Sequence, residues 1–264
     1  MADSRLDAAL AQRGLARSRT HAAKLISDGL VTVDGRPVVK ASAPVRENQS
    51  IEVAGSDHYV SRAAHKLIAG LDAFPVPVAG RLALDVGAST GGFTQVLLER
   101  GASGVIALDV GHDQLVEEVR ADARVTVVEG FNARDMTAPG LAAVTGIDEV
   151  PTLVVGDLSF ISLKMVLPAL VATVGTAAEF VLLVKPQFEV GRTGIREGIV
   201  KSASLRADAV TGVMWAGHDL GLATAGVIPS PIAGGSGNQE YLLWLSTSAG
   251  SNPTEWLDKV SAIA

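Results

Sequence analysis

Between Arg81 and Ile228, short apolar and β-branched runs alternate with stretches of helical spacing. The runs are Arg81–Val86, Val105–Asp109, Val125–Glu129, Leu153–Gly156, Phe180–Val184 and Ala223–Ile228. Parallel neighbouring strands need a crossover of about a dozen residues, and every interval here is long enough to supply one as a helix. Near-continuous apolar runs also suit strands buried on both faces. The rhythm therefore predicts an α/β protein with a doubly wound, mainly parallel sheet. A seventh run, Tyr241–Ser246, follows the loop Pro229–Gln239, which is too short for a crossover helix, so this strand is expected to run antiparallel.

Residues 1–54 differ from the rest in charge. Eight Lys or Arg stand there against six acids, a local +2 in a chain of formal charge −6. Exposed charges are screened beyond about 8 Å at physiological salt, so this segment can show a polyanion its own field. Leu6, Ala9 and Leu10 fall at i, i+3, i+4 behind Asp3 as a cap, and Gly14 ends the turn. The spacing recurs at Ala22, Leu25 and Ile26, closed by Gly29, and Val31–Val33 then enters an Asp34–Gly35 hairpin. The expected organisation is a first domain over 1–54, a linker over 55–61 and a second domain over 62–264.

The order helix, helix, small hairpin, with Arg-Ser-Arg-Thr-His-Ala-Ala-Lys-Leu-Ile from Arg17 and Val-Asp-Gly-Arg-Pro from Val33, resembles the S4-type RNA-binding domain, a small α+β fold. The resemblance implies RNA contacts by Arg5, Arg13, Arg17, Arg19, Lys24 and Arg36. The competing reading is a solvated helical hairpin that only caps a core.

At the first strand of the larger domain, Leu84-Asp-Val-Gly-Ala-Ser-Thr-Gly-Gly-Phe-Thr94 sets Asp85 near a strand end, then glycines, then a helix start. Glycines let a backbone approach a ligand, and a helix start offers unpaired amides. A dinucleotide loop has a second glycine where Ser89 stands, which counts against that ligand. S-adenosyl-L-methionine carries an amine and a carboxylate instead of a phosphate, which suits Asp85 beside Gly87, Ala88, Ser89, Thr90, Gly91, Gly92 and Phe93. Asp109, at the end of the next strand, is placed to accept ribose hydroxyls, and Asn132 to read an adenine edge. The reversed last strand likewise favours a Rossmann-like class I methyltransferase sheet over a dehydrogenase.

Parallel sheets hold their chemistry at the carboxyl ends of the strands. Asp157 follows the fourth strand, Lys185 the fifth, Glu240 opens the antiparallel strand on that same edge, and Lys66 precedes the sheet. Singly, each is an ordinary solvated charge. Together with Val60-Ser-Arg-Ala-Ala-His-Lys-Leu, Asp157-Leu-Ser-Phe-Ile-Ser-Leu, Val184-Lys-Pro-Gln-Phe-Glu-Val-Gly and Ser236-Gly-Asn-Gln-Glu-Tyr, they resemble the TlyA-type ribosomal RNA 2′-O-methyltransferases, an S4-type domain joined to an FtsJ-like catalytic domain. The resemblance covers nearly the whole chain. It implies a Lys-Asp-Lys-Glu tetrad at Lys66, Asp157, Lys185 and Glu240, S-adenosylmethionine as cofactor, and cytidine ribose in small- and large-subunit rRNA as substrate. Ala63 stands where glycine is usual, and Asp57-His-Tyr where a basic residue and Trp are expected. In this scheme Lys185 accepts the hydroxyl proton, Lys66 and Asp157 orient the hydroxyl, and Glu240 fixes a lysine.

Composition closes other routes. With no Cys, thiolate nucleophiles and Cys-ligated metals are excluded, and the five His show no metal-ligand spacing, so no metal is expected. That also removes the pyrimidine-carbon methyltransferases that form a Cys adduct, while Leu-Ser-Phe after Asp157 lacks the Pro-Pro-aromatic pattern of amino-group methyltransferases. No run reaches about 18 apolar residues, and acids occupy the amino terminus, so a cytoplasmic protein without a membrane partner is expected, with ribosomal RNA or subunits as partner and a monomer favoured. Two alternatives remain: a membrane-active, hemolysin-like protein, and an RNA-binding protein without catalysis. The loop Gly191–Gly198, with Arg192 and Arg196, either touches RNA or is a plain surface loop.

Overall fold

The structure, a computed structural model, describes residues 4–16, 18–27, 29–53, 58–191, 194–195, 197–234 and 237–264. The chain forms two compact units, Met1–Tyr59 and Val60–Ala264. Asp3, Arg17, Ala54 and residues 55–57 of the expected linker lie outside the described residues.

The first unit contains β1 (Ser4–Arg5), α1 (Leu6–Gln12), α2 (Arg19–Ser27), β2 (Val31–Val33), β3 (Arg36–Pro37), β4 (Pro44–Val45) and β5 (Ile51–Val53). Leu6, Leu10, Ala22, Ile26, Val31 and Val45 make its core, so the i, i+3, i+4 positions of both helices do face inward. β2 pairs with β3 through Val33↔Arg36 across Asp34 and Gly35, whose φ angles are +50° and +75°. Two successive positive φ values define the two-residue turn that matches strand twist. β5 adds on the other side of β2 and β1 pairs with β4, both antiparallel; these short pairings lack a sequence pattern of their own.

The second unit continues with α3 (Ala64–Ala73), β6 (Leu82–Val86), α4 (Gly92–Glu99), β7 (Gly104–Leu108), α5 (Glu117–Arg120), β8 (Val125–Val128), α6 (Ala138–Thr145), β9 (Leu153–Gly156), α7 (Leu163–Val174), β10 (Glu179–Val184), α8 (Pro186–Glu189), α9 (Ala203–Asp219), β11 (Thr224–Pro229), β12 (Tyr241–Leu245) and α10 (Leu257–Ile263). The seven-stranded sheet has the order β11-β12-β10-β9-β6-β7-β8. β6 through β10 pair in parallel, and β12 runs antiparallel to both β10 and β11. The expected α/β class and the reversed strand are both observed, with β12 lying between β10 and β11. Phe180, Leu182, Leu243 and Leu245 are fully buried among residues of α7 and α9 such as Leu167, Leu170, Val210 and Met214. Each such side chain contributes about 1.5–3 kcal/mol relative to exposure.

Topology sets one edge apart. The carboxyl ends of β6, β7, β9 and β10 point the same way, and the reversal of β12 brings its amino end to them. α3 lies close on β12: a Cβ at Gly70 would stand 3.3 Å from Leu242 Cδ2. One helical turn back from Gly70 is Lys66, and two strand residues back from Leu242 is Glu240. A turn of helix rises about 5.4 Å and two strand residues about 6.8 Å, so the two side chains arrive together.

Candidate active site

Gly87 follows β6 with φ +83°, and a Cβ there would lie 3.0 Å from the Asp157 carbonyl oxygen. Only a residue without a side chain lets the loop after β6 and the loop after β9 come this near. Ser89 is also left-handed, at φ +48°, an unfavourable conformation for a side chain to hold. Its amide donates to Asp109 Oδ2 at 2.8 Å, and Gly111 donates to Oδ1 at 2.8 Å. One carboxylate at the end of β7 thus fixes the glycine loop in place.

Two cavities of about 510 and 220 Å³ share Gly87, Ser89, Asp157 and Ser159 as walls. The larger runs past Asp109, Gln114, Phe131 and Asn132, and the smaller past Ala88, Thr90, Gly92 and Phe93 to Lys185. The larger volume is that of a small-molecule pocket. Asn132 lines it with its side-chain oxygen accepting from the Arg134 amide at 3.1 Å, a cap on the following turn. Gly91 lines neither cavity; with φ +99° it turns the chain into α4.

Asp85 departs from the expectation of direct ligand contact. It is fully buried, lines neither cavity, and accepts a hydrogen bond from Thr94 Oγ1 at 2.6 Å. Burial pushes its carboxyl up to about 7, with the Asp157 charge adding to the rise and the Thr94 bonds opposing it. The fourth residue of a five-residue strand points into the protein, and Asp85 therefore holds the loop from beneath through α4.

The four charged residues form one unbroken chain. Lys66 Nζ stands 2.6 Å from Glu240 Oε2 and 3.5 Å from Asp157 Oδ2, and Lys185 Nζ stands 2.6 Å from Asp157 Oδ1. Lys66, Lys185 and Glu240 are all buried. Asp157 is shared by the two lysines, one oxygen each. Asp157 and Lys185 line the smaller cavity, whereas Lys66 and Glu240 lie behind them. Burying charges is costly unless they are paired, so this cluster holds together as a set. Lys185 also donates to Ser159 Oγ at 2.8 Å, a contact the sequence did not single out although Ser159 lies within the Asp157-Leu-Ser-Phe motif. Phe160, next along, has φ +64° and is 91 % exposed at the rim of the larger cavity, with its ring 5.4 Å from that of Phe188.

In the first unit, Arg5 and Arg19 both reach Asp7, at 3.0 and 3.2 Å, and the Arg5 hydrogen bond above all holds the Asp7 carboxyl down at about 2. Both guanidinium groups keep more than half of their side-chain surface exposed. Arg13 instead clips the chain, donating to the carbonyls of Gln49, Arg46 and Glu47 at 2.7, 2.9 and 3.1 Å. Lys24 and Arg36 are exposed. Arg17 of the RNA set, and Arg192, Thr193 and Arg196 of the loop after α8, lie outside the described residues. Among the described residues no cluster could hold a metal ion and no helix is long and apolar enough to cross a membrane.

A doubly wound sheet with a reversed strand, a glycine-loop cavity and a buried lysine–carboxylate chain at its edge together define a methyltransferase catalytic unit. The chain belongs to the FtsJ-like methyltransferase family, whose profile matches residues 59–247, and an S4 domain matches residues 4–51. Over 247 residues it is 49 % identical to the 16S/23S rRNA (cytidine-2′-O)-methyltransferase TlyA of Mycobacterium tuberculosis, covering 92 % of this chain and 90 % of that one. It is 38 % identical over 239 residues to Hemolysin A of Brachyspira hyodysenteriae, covering 90 % and 98 %. A Streptococcus thermophilus structure described as a "putative hemolysin" superposes with TM-score 0.77 at 36 % identity, covering 99 % and 95 %.

Proposed function

We propose that this protein transfers a methyl group from S-adenosylmethionine to the ribose 2′-oxygen of a cytidine in ribosomal RNA. The observation that carries the reading is the chain Glu240–Lys66–Asp157–Lys185 opening onto a cavity that shares its walls with the glycine-loop cavity. The larger cavity fits the cofactor by volume, by the cradle that a Cβ at Gly87 would fill, and by the Asp109 carboxylate on its wall. Gly87, Ser89, Asp109 and Asn132 would hold the nucleoside part, and Ala88, Thr90 and Gly92 the amino-acid part. When bound, the cofactor supplies an electrophilic methyl group on sulfur.

The protein's own residues act on the hydroxyl. A ribose hydroxyl is a very weak acid, so its proton must be received as the oxygen is alkylated. Lys185 is the amine that reaches the cavity, and Asp157 beside it orients both the lysine and the incoming hydroxyl. Lys66, held by Glu240, neutralises the second Asp157 oxygen and keeps that carboxylate in place. Compared with the sequence reading, Lys66 moves from orienting the substrate to supporting Asp157. The exposed Phe160 ring is suited to stack on an unpaired base beside the cleft. Arg5, Arg19, Lys24 and Arg36 of the first unit are suited to phosphate contacts in rRNA or a ribosomal subunit. Reverse-transcription mapping of 16S and 23S rRNA after exposure to the full chain and cofactor tests the reading: new ribose-methyl stops at cytidine are expected, and their absence on both rRNAs and both subunits rejects it. For the membrane-active alternative, release of dye from liposomes by the same preparation would be the supporting result.

A further inference from the structure

We propose that Ser159 is a positioning residue that aims the Lys185 nitrogen at the substrate hydroxyl; the inference rests on the methyl-transfer reading above. Lys185 Nζ faces two acceptors on one loop, Asp157 Oδ1 at 2.6 Å and Ser159 Oγ at 2.8 Å. An ion pair to a single carboxylate oxygen leaves the nitrogen free to turn about its own bond. A second acceptor two residues further along the same loop removes that freedom. A neutral amine has two N–H groups and one lone pair. The hydrogen bond to Ser159 Oγ fixes one N–H direction and the ion-paired Asp157 carboxylate occupies a second side of the nitrogen, which leaves a remaining tetrahedral position for the lone pair of the neutral amine. Lys185 and Ser159 both line the smaller cavity, and Ser159 lines the larger one as well, so that position opens where the two cavities share walls.

The same hydrogen bond and ion pair serve before and after the proton moves. The O–H bond of the ribose breaks, an N–H bond forms on Lys185, and the electron pair left on oxygen would form the new bond to the methyl carbon as that carbon's bond to sulfur broke, its electron pair leaving on sulfur as a neutral thioether. The amine becomes an ammonium without losing either acceptor, so no side chain has to reorganise during the step. Loss of aim by even about 1 Å at a reacting group can cost about a hundredfold in rate.

The test uses the full chain with Ser159→Ala, Ser159→Thr and wild type, measured by single-turnover methylation of rRNA, calorimetric cofactor binding and the side-chain NMR signal of Lys185. For Ser159→Ala the expected result is a rate about a hundredfold lower with cofactor affinity unchanged. The acid limb of the rate–pH profile should move to lower pH, because the ammonium has lost an acceptor, and the slowly exchanging Lys185 Nζ–H signal should disappear. Ser159→Thr, which keeps the hydroxyl, should recover most of the rate. An Ala variant as fast as wild type, or one whose cofactor affinity falls in step with its rate while the profile and the NMR signal stay put, overturns the assignment. A wild-type chain that methylates no ribose overturns the functional reading first, and this inference with it.

Discussion

The two units of this chain use charge in opposite ways. In the first, Arg5, Arg19, Lys24 and Arg36 stay at the surface, and the carboxylate that two of them touch, Asp7, orients them locally. In the second, Lys66, Lys185 and Glu240 are withdrawn from water and joined through Asp157. A charge meant to meet a polyanion gains by remaining hydrated and screened until contact. A charge meant to act on a proton gains by fixed geometry in a low-dielectric site. Net composition, which is acidic overall, conceals both uses.

The sharpest way to break that comparison is to remove the shared carboxylate. Asp157→Ala should lower methyl transfer by about a thousandfold or more in a single-turnover assay, since both lysines lose their common partner. Next in size is Glu240→Gln, which leaves Lys66 buried against Asp157 alone at 3.5 Å. Removing one partner of a buried pair costs about 3 kcal/mol, so the unfolding midpoint of the second unit should fall by about 10 °C in calorimetry. Surface charge should behave differently: Lys24→Glu with Arg36→Glu should weaken rRNA binding, flatten its salt dependence by about one unit of slope per lost contact, and leave both cofactor affinity and melting unchanged.

A separate expectation concerns the pH dependence of stability, which has opposite signs in the two units. Asp7 titrates below the ordinary carboxylate range when folded, so its contribution is complete above that range and is lost as pH falls toward about 2. Asp85 titrates near 7 when folded, so its contribution is complete below the ordinary range and is lost as pH rises through about 7. Calorimetry of the cofactor-free chain should show the second unit losing stability between about pH 4 and 7. Asp85→Asn should flatten that slope without altering the acid-side loss in the first unit.

Much of this was legible because it is local. Each of the seven apolar runs became a strand within a residue of its expected ends, since periodicity and turn residues act over a few positions. Asp34–Gly35 announced its turn by chemistry alone. What stayed hidden depends on partners far along the chain. Arg13 reads like any basic helix-end residue until the carbonyls of Arg46, Glu47 and Gln49 fold against it. Asp85 reads as a strand-end ligand until the burial of β6 and the Thr94 hydroxyl take it from solvent. The four tetrad positions were recognised as a set, yet only the packing of α3 on β12 decides that Lys66 and Glu240 stand behind Asp157 and Lys185.

Nucleoside mass spectrometry of rRNA incubated with methyl-labelled cofactor, using the wild-type chain and Lys185→Ala, bears most directly on the buried charge chain as the catalytic device. Label should accumulate in 2′-O-methylcytidine with the wild-type protein and be lost with Lys185→Ala, while calorimetry still finds the cofactor bound. Label on a base instead of the sugar, or equal labelling by the two proteins, would contradict the account.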